Sequence, residues 1–89
     1  MTPLQDALVA EHDARELHQA RCRDVWAALQ AEHPVLGETI RTLFPDDATA
    51  AHWVCTRHRE EASPAEQIAA GDATLVEARL LRIQHGMGA

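Results

Sequence analysis

Apolar residues recur along the chain at intervals of three and four, and no stretch alternates strictly between apolar and polar. The pattern predicts helices throughout. Thr2-Pro3 opens the first, since threonine caps well and proline fits the first helical position, where its missing N–H is not needed. Beyond it Leu4, Leu8, Glu11, Arg15, His18, Cys22, Val25 and Leu29 follow heptad spacing. This stripe is apolar at both ends and polar in the middle. Two arrangements fit: one helix that leaves the core midway, or two helices meeting near residues 11–16.

His33-Pro34 marks the next boundary, because the residue before proline avoids the helical region. A short helix with Val35, Leu36, Ile40 and Leu43 on one side runs up to Phe44-Pro45-Asp46-Asp47. Asp46 can cap a third helix that extends through Trp53 and Val54, and the polar residues 56–62 read as a loop. Ser63-Pro64-Ala65-Glu66 combines a serine cap, a first-turn proline and the glutamate of a capping box. The helix it starts stops at Gly71, and Asp72 caps a last helix with Leu75, Val76, Leu80 and Ile83 on its inner face. Arg79 and Arg82 lie in the second half of that helix, where they complement its dipole, and Gly86 ends it. The expectation is one all-α domain over residues 1–89, a small compact bundle of about five helices, with residues 1–31 as an N-terminal helical segment. Its expected core is Ile40, Leu43, Trp53, Ile68, Val76, Leu80 and Ile83.

That core is thin. A chain of 89 residues buries only roughly 60–65% of the surface it exposes when unfolded. Much of the 46% apolar content is alanine, with one Phe, two Trp and no Tyr. Part of the apolar surface is therefore available to a partner. The net charge of −6 and the scattering of eight basic residues, all Arg, argue against direct nucleic-acid binding. The densest basic run, Arg57-His58-Arg59, is followed at once by Glu60-Glu61, and a basic partner surface fits better. Two cysteines are too few for a disulfide framework, the N-terminus has no apolar signal segment, and no run approaches the roughly 20 residues of a membrane span. These features suggest a cytoplasmic protein with free thiols and no membrane association.

Candidate chemistry is sparse. His18 and Cys22 stand four apart on one helix face, and His52, Cys55 and His58 follow at intervals of three, a spacing from which two helices can build tetrahedral zinc. Trp53, however, is the expected anchor of the third helix, and only some of His52, Cys55 and His58 can share a face away from it. A cysteine on an apolar stripe also packs as a small hydrophobe. Packing is the preferred reading, with no metal and no cofactor. Asp46-Asp47 and Glu60-Glu61 read as helix cap and solvated loop rather than as an acid/base pair. Glycine-rich phosphate loops and nucleophile elbows are absent. The chain is not expected to be an enzyme. Trp26 and Leu81 fall away from the core stripes on helical wheels. Either the wheel phase is off and they are buried, or they contact a partner or a second copy in a homodimer, a role that suits tryptophan.

The C-terminal half, roughly residues 35–89, resembles the toxin-binding domain shared by Xre, MbcA and ParS antitoxins. The likeness lies in ordered fragments: Leu43-Phe44-Pro45 with Asp46-Asp47, an Ala-rich turn into Trp53-Val54, Ser63-Pro64-Ala65-Glu66-Gln67-Ile68, Gly71-Asp72, and Arg82-Ile83-Gln84-His85-Gly86. The chain departs from the family between Cys55 and Ala62, which is shorter and more charged, and at Gly86-Met87-Gly88-Ala89, which lacks the usual bulky aromatic. Residues 1–30 also lack the compact multi-helix unit and basic recognition helix of an operator-binding domain. The resemblance implies an antitoxin that neutralises a RES-type, NAD-degrading toxin by lying across its active-site cleft. The partner-binding residues expected from it are Arg82, His85, Gly86, Met87, Gly88 and Ala89, to which Leu81 and Trp26 are added from the wheels. Two alternatives stay open: an immunity or adaptor protein of a phage or secretion system on the same scaffold, and a zinc-dependent anti-sigma-like regulator.

Overall fold

The computed structural model describes residues 2–86. They form five α-helices and no strand: α1 (Pro3–Glu32), α2 (Pro34–Leu43), α3 (Asp47–Cys55), α4 (Pro64–Ala69) and α5 (Ala73–Gly86). The expected all-α bundle is what the chain builds.

The boundaries follow local chemistry. Thr2 caps α1 in a reciprocal box with Gln5, its hydroxyl accepting from the Gln5 N–H at 3.2 Å while the Thr2 N–H donates to Gln5 Oε1 at 2.9 Å. Proline opens α1, α2 and α4. Asp46 caps α3 by accepting from the Ala48 N–H at 3.1 Å. Ser63 and Glu66 form the expected capping box of α4. Gly71 sits at φ 88°, a left-handed conformation that glycine adopts without side-chain conflict.

α1 is one uninterrupted helix of 30 residues, about 45 Å long at 1.5 Å per residue, in a molecule whose longest extent is 49 Å. Residues 2–19 are all exposed, and burial starts with Cys22, Trp26 and Leu29. Of the two arrangements the pattern allows, the helix leaves the core midway. The polar positions Glu11 and Arg15 fall where nothing packs, and they pair with each other at 2.9 Å. His12 and Glu16 form a second contact at 3.2 Å. Such exposed pairs contribute only a few tenths of a kcal/mol each.

The second half of α1 packs on α2, α3 and α4. The core joins Cys22, Trp26 and Leu29 of α1 to Ile40 of α2, Ala50, Ala51 and Val54 of α3, Ile68 of α4, and Val76 and Leu80 of α5. Small residues set the helix spacing. Ala50 and Ala51 face into the core of α3, and a Cβ on Gly37 would stand 3.2 Å from Gln30 Cα, so α1 and α2 approach closely there.

The structure corrects several expectations. Trp26, placed from the wheels among the residues for a partner with burial as the alternative, is 3% exposed, and its indole N–H donates to Asp47 Oδ1 at 3.2 Å. The reason is phase. A wheel aligned on Leu4 and Leu8 takes its bearing from the half of α1 that has no core, whereas the buried stripe is Cys22, Trp26 and Leu29, with Val25 at its exposed rim. Leu75, placed on the inner face of α5, is exposed because the buried stripe runs through Val76 and Leu80. Leu43, Trp53 and Ile83 are half-buried rather than central. Trp53 stacks on Phe44 at 5.3 Å between ring centroids, and the Arg79 guanidinium lies over the Trp53 ring at 5.6 Å from its centroid.

Candidate partner-binding surface

α5 carries most of the described residues expected at a partner surface. Its buried stripe faces the core, and beside it Leu81 is 55% exposed, with Arg82 and His85 also in solvent. Leu81 lines an open apolar groove of about 550 Å³ between α5 and the start of α2. Pro34, Val35 and Leu36 form the opposite wall, with Leu80 contributed from α5. Val35 is 82% exposed, the largest fraction among the exposed large hydrophobic residues of the described chain. Leaving Val35 and Leu81 in water forgoes roughly 1.5–3 kcal/mol per side chain of available burial, which a partner covering the groove recovers in part.

The other flank of α5 is polar. Arg79, Arg82 and Ile83 line a cleft of about 480 Å³ together with Trp53, His58 and Arg59. Arg79 is spoken for by the fold: it donates to Ala62 O and to Gln67 Oε1, both at 3.1 Å, approaches Glu61 at 3.9 Å and lies over Trp53. Arg82, exposed one turn further on, is available to a ligand. Arg59, with φ 58°, holds the tip of the turn between His58 and Glu61, a left-handed position uncommon for a residue with a side chain.

The other residues singled out from the sequence take structural places. Asp46 caps α3 and also accepts from Thr49 Oγ1 at 3.2 Å, and Asp47 holds the Trp26 indole. Glu66 closes its capping box and accepts two bonds from Arg57, one at 2.9 Å and one at 2.6 Å. The Arg57 guanidinium, with the Ser63 N–H and hydroxyl, holds the Glu66 carboxyl down to about 2. The residues with zinc-like spacing do not come together: among the described residues no three His, Cys, Asp or Glu side chains are grouped so as to hold a metal ion. His18 and Cys22 do meet, at 3.5 Å, and Cys55 lines a cleft with them, but His58 lies in the separate polar cleft.

Of the expected partner-binding residues, Leu81, Arg82 and His85 share the exposed side of α5, and Gly86 ends that helix. Trp26 is removed from the set by burial, and Met87, Gly88 and Ala89 lie outside the described residues. Val35 was missed. As an apolar residue right after proline it reads as the start of a core stripe, and only the meeting of α2 with α5 leaves it outside. Leu4, Leu8 and Leu17 are likewise exposed on the free half of α1. No helix among the described residues is long and apolar enough to cross a membrane. The chain matches no protein-family model, and neither curated proteins nor solved structures give a match.

Proposed function

We propose that the chain is a protein-binding module of antitoxin type, which neutralises a RES-type toxin by covering the cleft where the toxin degrades NAD. The observation that carries this reading is the apolar groove flanked by Val35 of α2 and Leu81 of α5, beside the exposed Arg82 and His85. A partner seated on it gains apolar burial at its centre and meets Arg82 and His85 at its edge, the arrangement of a small interface with a hydrophobic centre and a polar rim. The net charge of −6 suits a cleft shaped to hold the phosphates of NAD, because acidic and basic surfaces steer each other into encounter. The likeness of residues 35–89 to the Xre, MbcA and ParS toxin-binding domain supports the choice of toxin class. Binding through the exposed flank of α5 leaves the five-helix core undisturbed, so inhibition needs no refolding of the module.

The test is co-expression with a RES-type toxin encoded beside the chain, with growth and cellular NAD as readouts. The intact chain should restore both and co-purify with the toxin. Leu81→Asp, Val35→Asp and deletion of Met87-Gly88-Ala89 should each weaken protection at limiting expression while leaving thermal stability nearly unchanged. Full protection by all three variants, or failure of the intact chain to bind the toxin, would sink the proposal.

A further inference from the structure

The two cysteines lie apart from the α5 surface, and their surroundings differ from those of an inert core thiol. Cys22 is buried on α1, and the exposed His18 one turn earlier brings Nε2 to 3.5 Å from Cys22 Sγ. Cys55, on the last turn of α3, is half-buried and packs against the core that contains Cys22. Two clefts reach this cluster. One of about 320 Å³ is lined by His18, Cys22, Cys55, Arg21 and Arg57, and one of about 360 Å³ by His18, Cys22 and His52. Cys22 and the His18 imidazole thus border both. Cys22 lines both clefts with little exposure of its own, and the His18 Nε2 stands 3.5 Å from its sulfur.

We propose that Cys22 and Cys55 are a peroxide-reactive thiol pair that closes to a disulfide joining α1 to α3, with His18 as the proton acceptor for Cys22. His18 takes the Cys22 proton, and the thiolate attacks one oxygen of hydrogen peroxide. The S–O bond forms, the O–O bond breaks, and the departing hydroxide recovers the proton from His18 as water. Cys22, oxidised by two electrons, is now a sulfenic acid. The Cys55 sulfur then attacks Cys22, the S–S bond forms, and the hydroxyl leaves with the Cys55 proton as a second water. The order of attack follows from the surroundings. His18 Nε2 lies 3.5 Å from the Cys22 sulfur, so Cys22 attacks first, and Cys55, pushed up to about 12 by burial and by its interaction with Cys22, is the thiol that resolves. Disulfides of this kind, formed transiently in a reducing compartment, belong to redox-responsive proteins.

The experiment treats the full chain with stoichiometric hydrogen peroxide at neutral pH. Expected are a mass lower by two hydrogens per chain, a Cys22–Cys55 cross-linked peptide in the non-reduced digest, and a monomeric product that dithiothreitol reverses. The thermal midpoint should rise by on the order of 10 °C, because the bridge closes a long loop in the unfolded chain. Cys55→Ser should stop at a Cys22 sulfenic acid trapped by dimedone. His18→Ala, a substitution at an exposed position, should slow Cys22 oxidation at least tenfold at neutral pH. The rates are compared with Arg21, Arg23, His52, Arg57 and Glu66 left in place as the remaining charged or titratable groups lining the two clefts. The wild-type digest reports the pairing without any substitution in the core. Disulfide-linked dimers, sulfinic acid at Cys22 with Cys55 still a thiol, or an unchanged rate in His18→Ala would each overturn the proposal.

Discussion

Replacing Trp26 tests whether the core is centred where α1 crosses α3. The side chain is 3% exposed, and burying an indole removes about 200 Å² from water. At about 25 cal/mol/Å² that is about 5 kcal/mol, and truncations of buried tryptophan to alanine cost about 3–5 kcal/mol. A domain of 89 residues has a total stability of roughly 4–13 kcal/mol, so Trp26→Ala should remove a large part of it. Trp26→Phe separates the two contributions. It keeps most of the apolar body and deletes the bond to Asp47 Oδ1, whose carboxylate is exposed and stays hydrated, so the loss should be about 1 kcal/mol from the bond plus a smaller packing loss. Urea unfolding followed by far-UV circular dichroism gives both values, and Trp53 remains as the only indole for a fluorescence check. Leu81→Asp provides the comparison, with a change within about 0.5 kcal/mol expected at its exposed position. If Trp26→Ala cost less than about 1 kcal/mol with an unchanged denaturant slope, the indole would not be a core residue and the packing of α1 described above would be wrong.

Three further outcomes follow from the structure. Glu66 titrates at about 2 when folded against 4.5 as its ordinary value, so its contribution is complete above about 4.5 and is lost as pH falls toward 2; Glu66→Gln should flatten stability across that window in acid-titrated thermal melts. Deleting residues 2–14 should lower the helical dichroism yet leave the thermal midpoint within about 2 °C, because nothing removed is buried; a drop of 10 °C would show that the free half of α1 packs on something. Gly71→Ala should cost about 1–2 kcal/mol from backbone strain alone, since a Cβ there meets no atom within 4 Å, and a calorimetric loss near zero would contradict the left-handed cap.

Helix limits were readable where a few adjacent residues set them. Thr2-Pro3, His33-Pro34, Ser63-Pro64 and Gly71 act through caps, ring geometry and backbone freedom, all of which operate within one turn. Helix phase was less readable, because phase depends on what lies opposite. Leu4 and Leu8 look like the beginning of a core stripe, but no other helix reaches them, and that misplaced Trp26. The same limit hid Leu75 and Val35, whose exposure is decided by how α5 meets α2. Within the cysteine cluster, the His18–Cys22 contact was visible as a spacing of four on one helix. The place of Cys55 beside them needed the crossing of α1 and α3, which no spacing encodes.

The half-supported helix has a consequence for how the backbone opens. Along α1 the hydrogen-bond geometry is continuous, yet the first turns are held only by a cap and exposed side-chain pairs, while the last turns cannot open without exposing Trp26 and Leu29. Amide protons before about residue 19 can therefore exchange with deuterium by fraying, at a cost that ignores the rest of the molecule. Those from Cys22 onward exchange only when α3 lets go. One helix thus spans two levels of protection, and the step between them, near Arg21, marks where local order hands over to the cooperative unit.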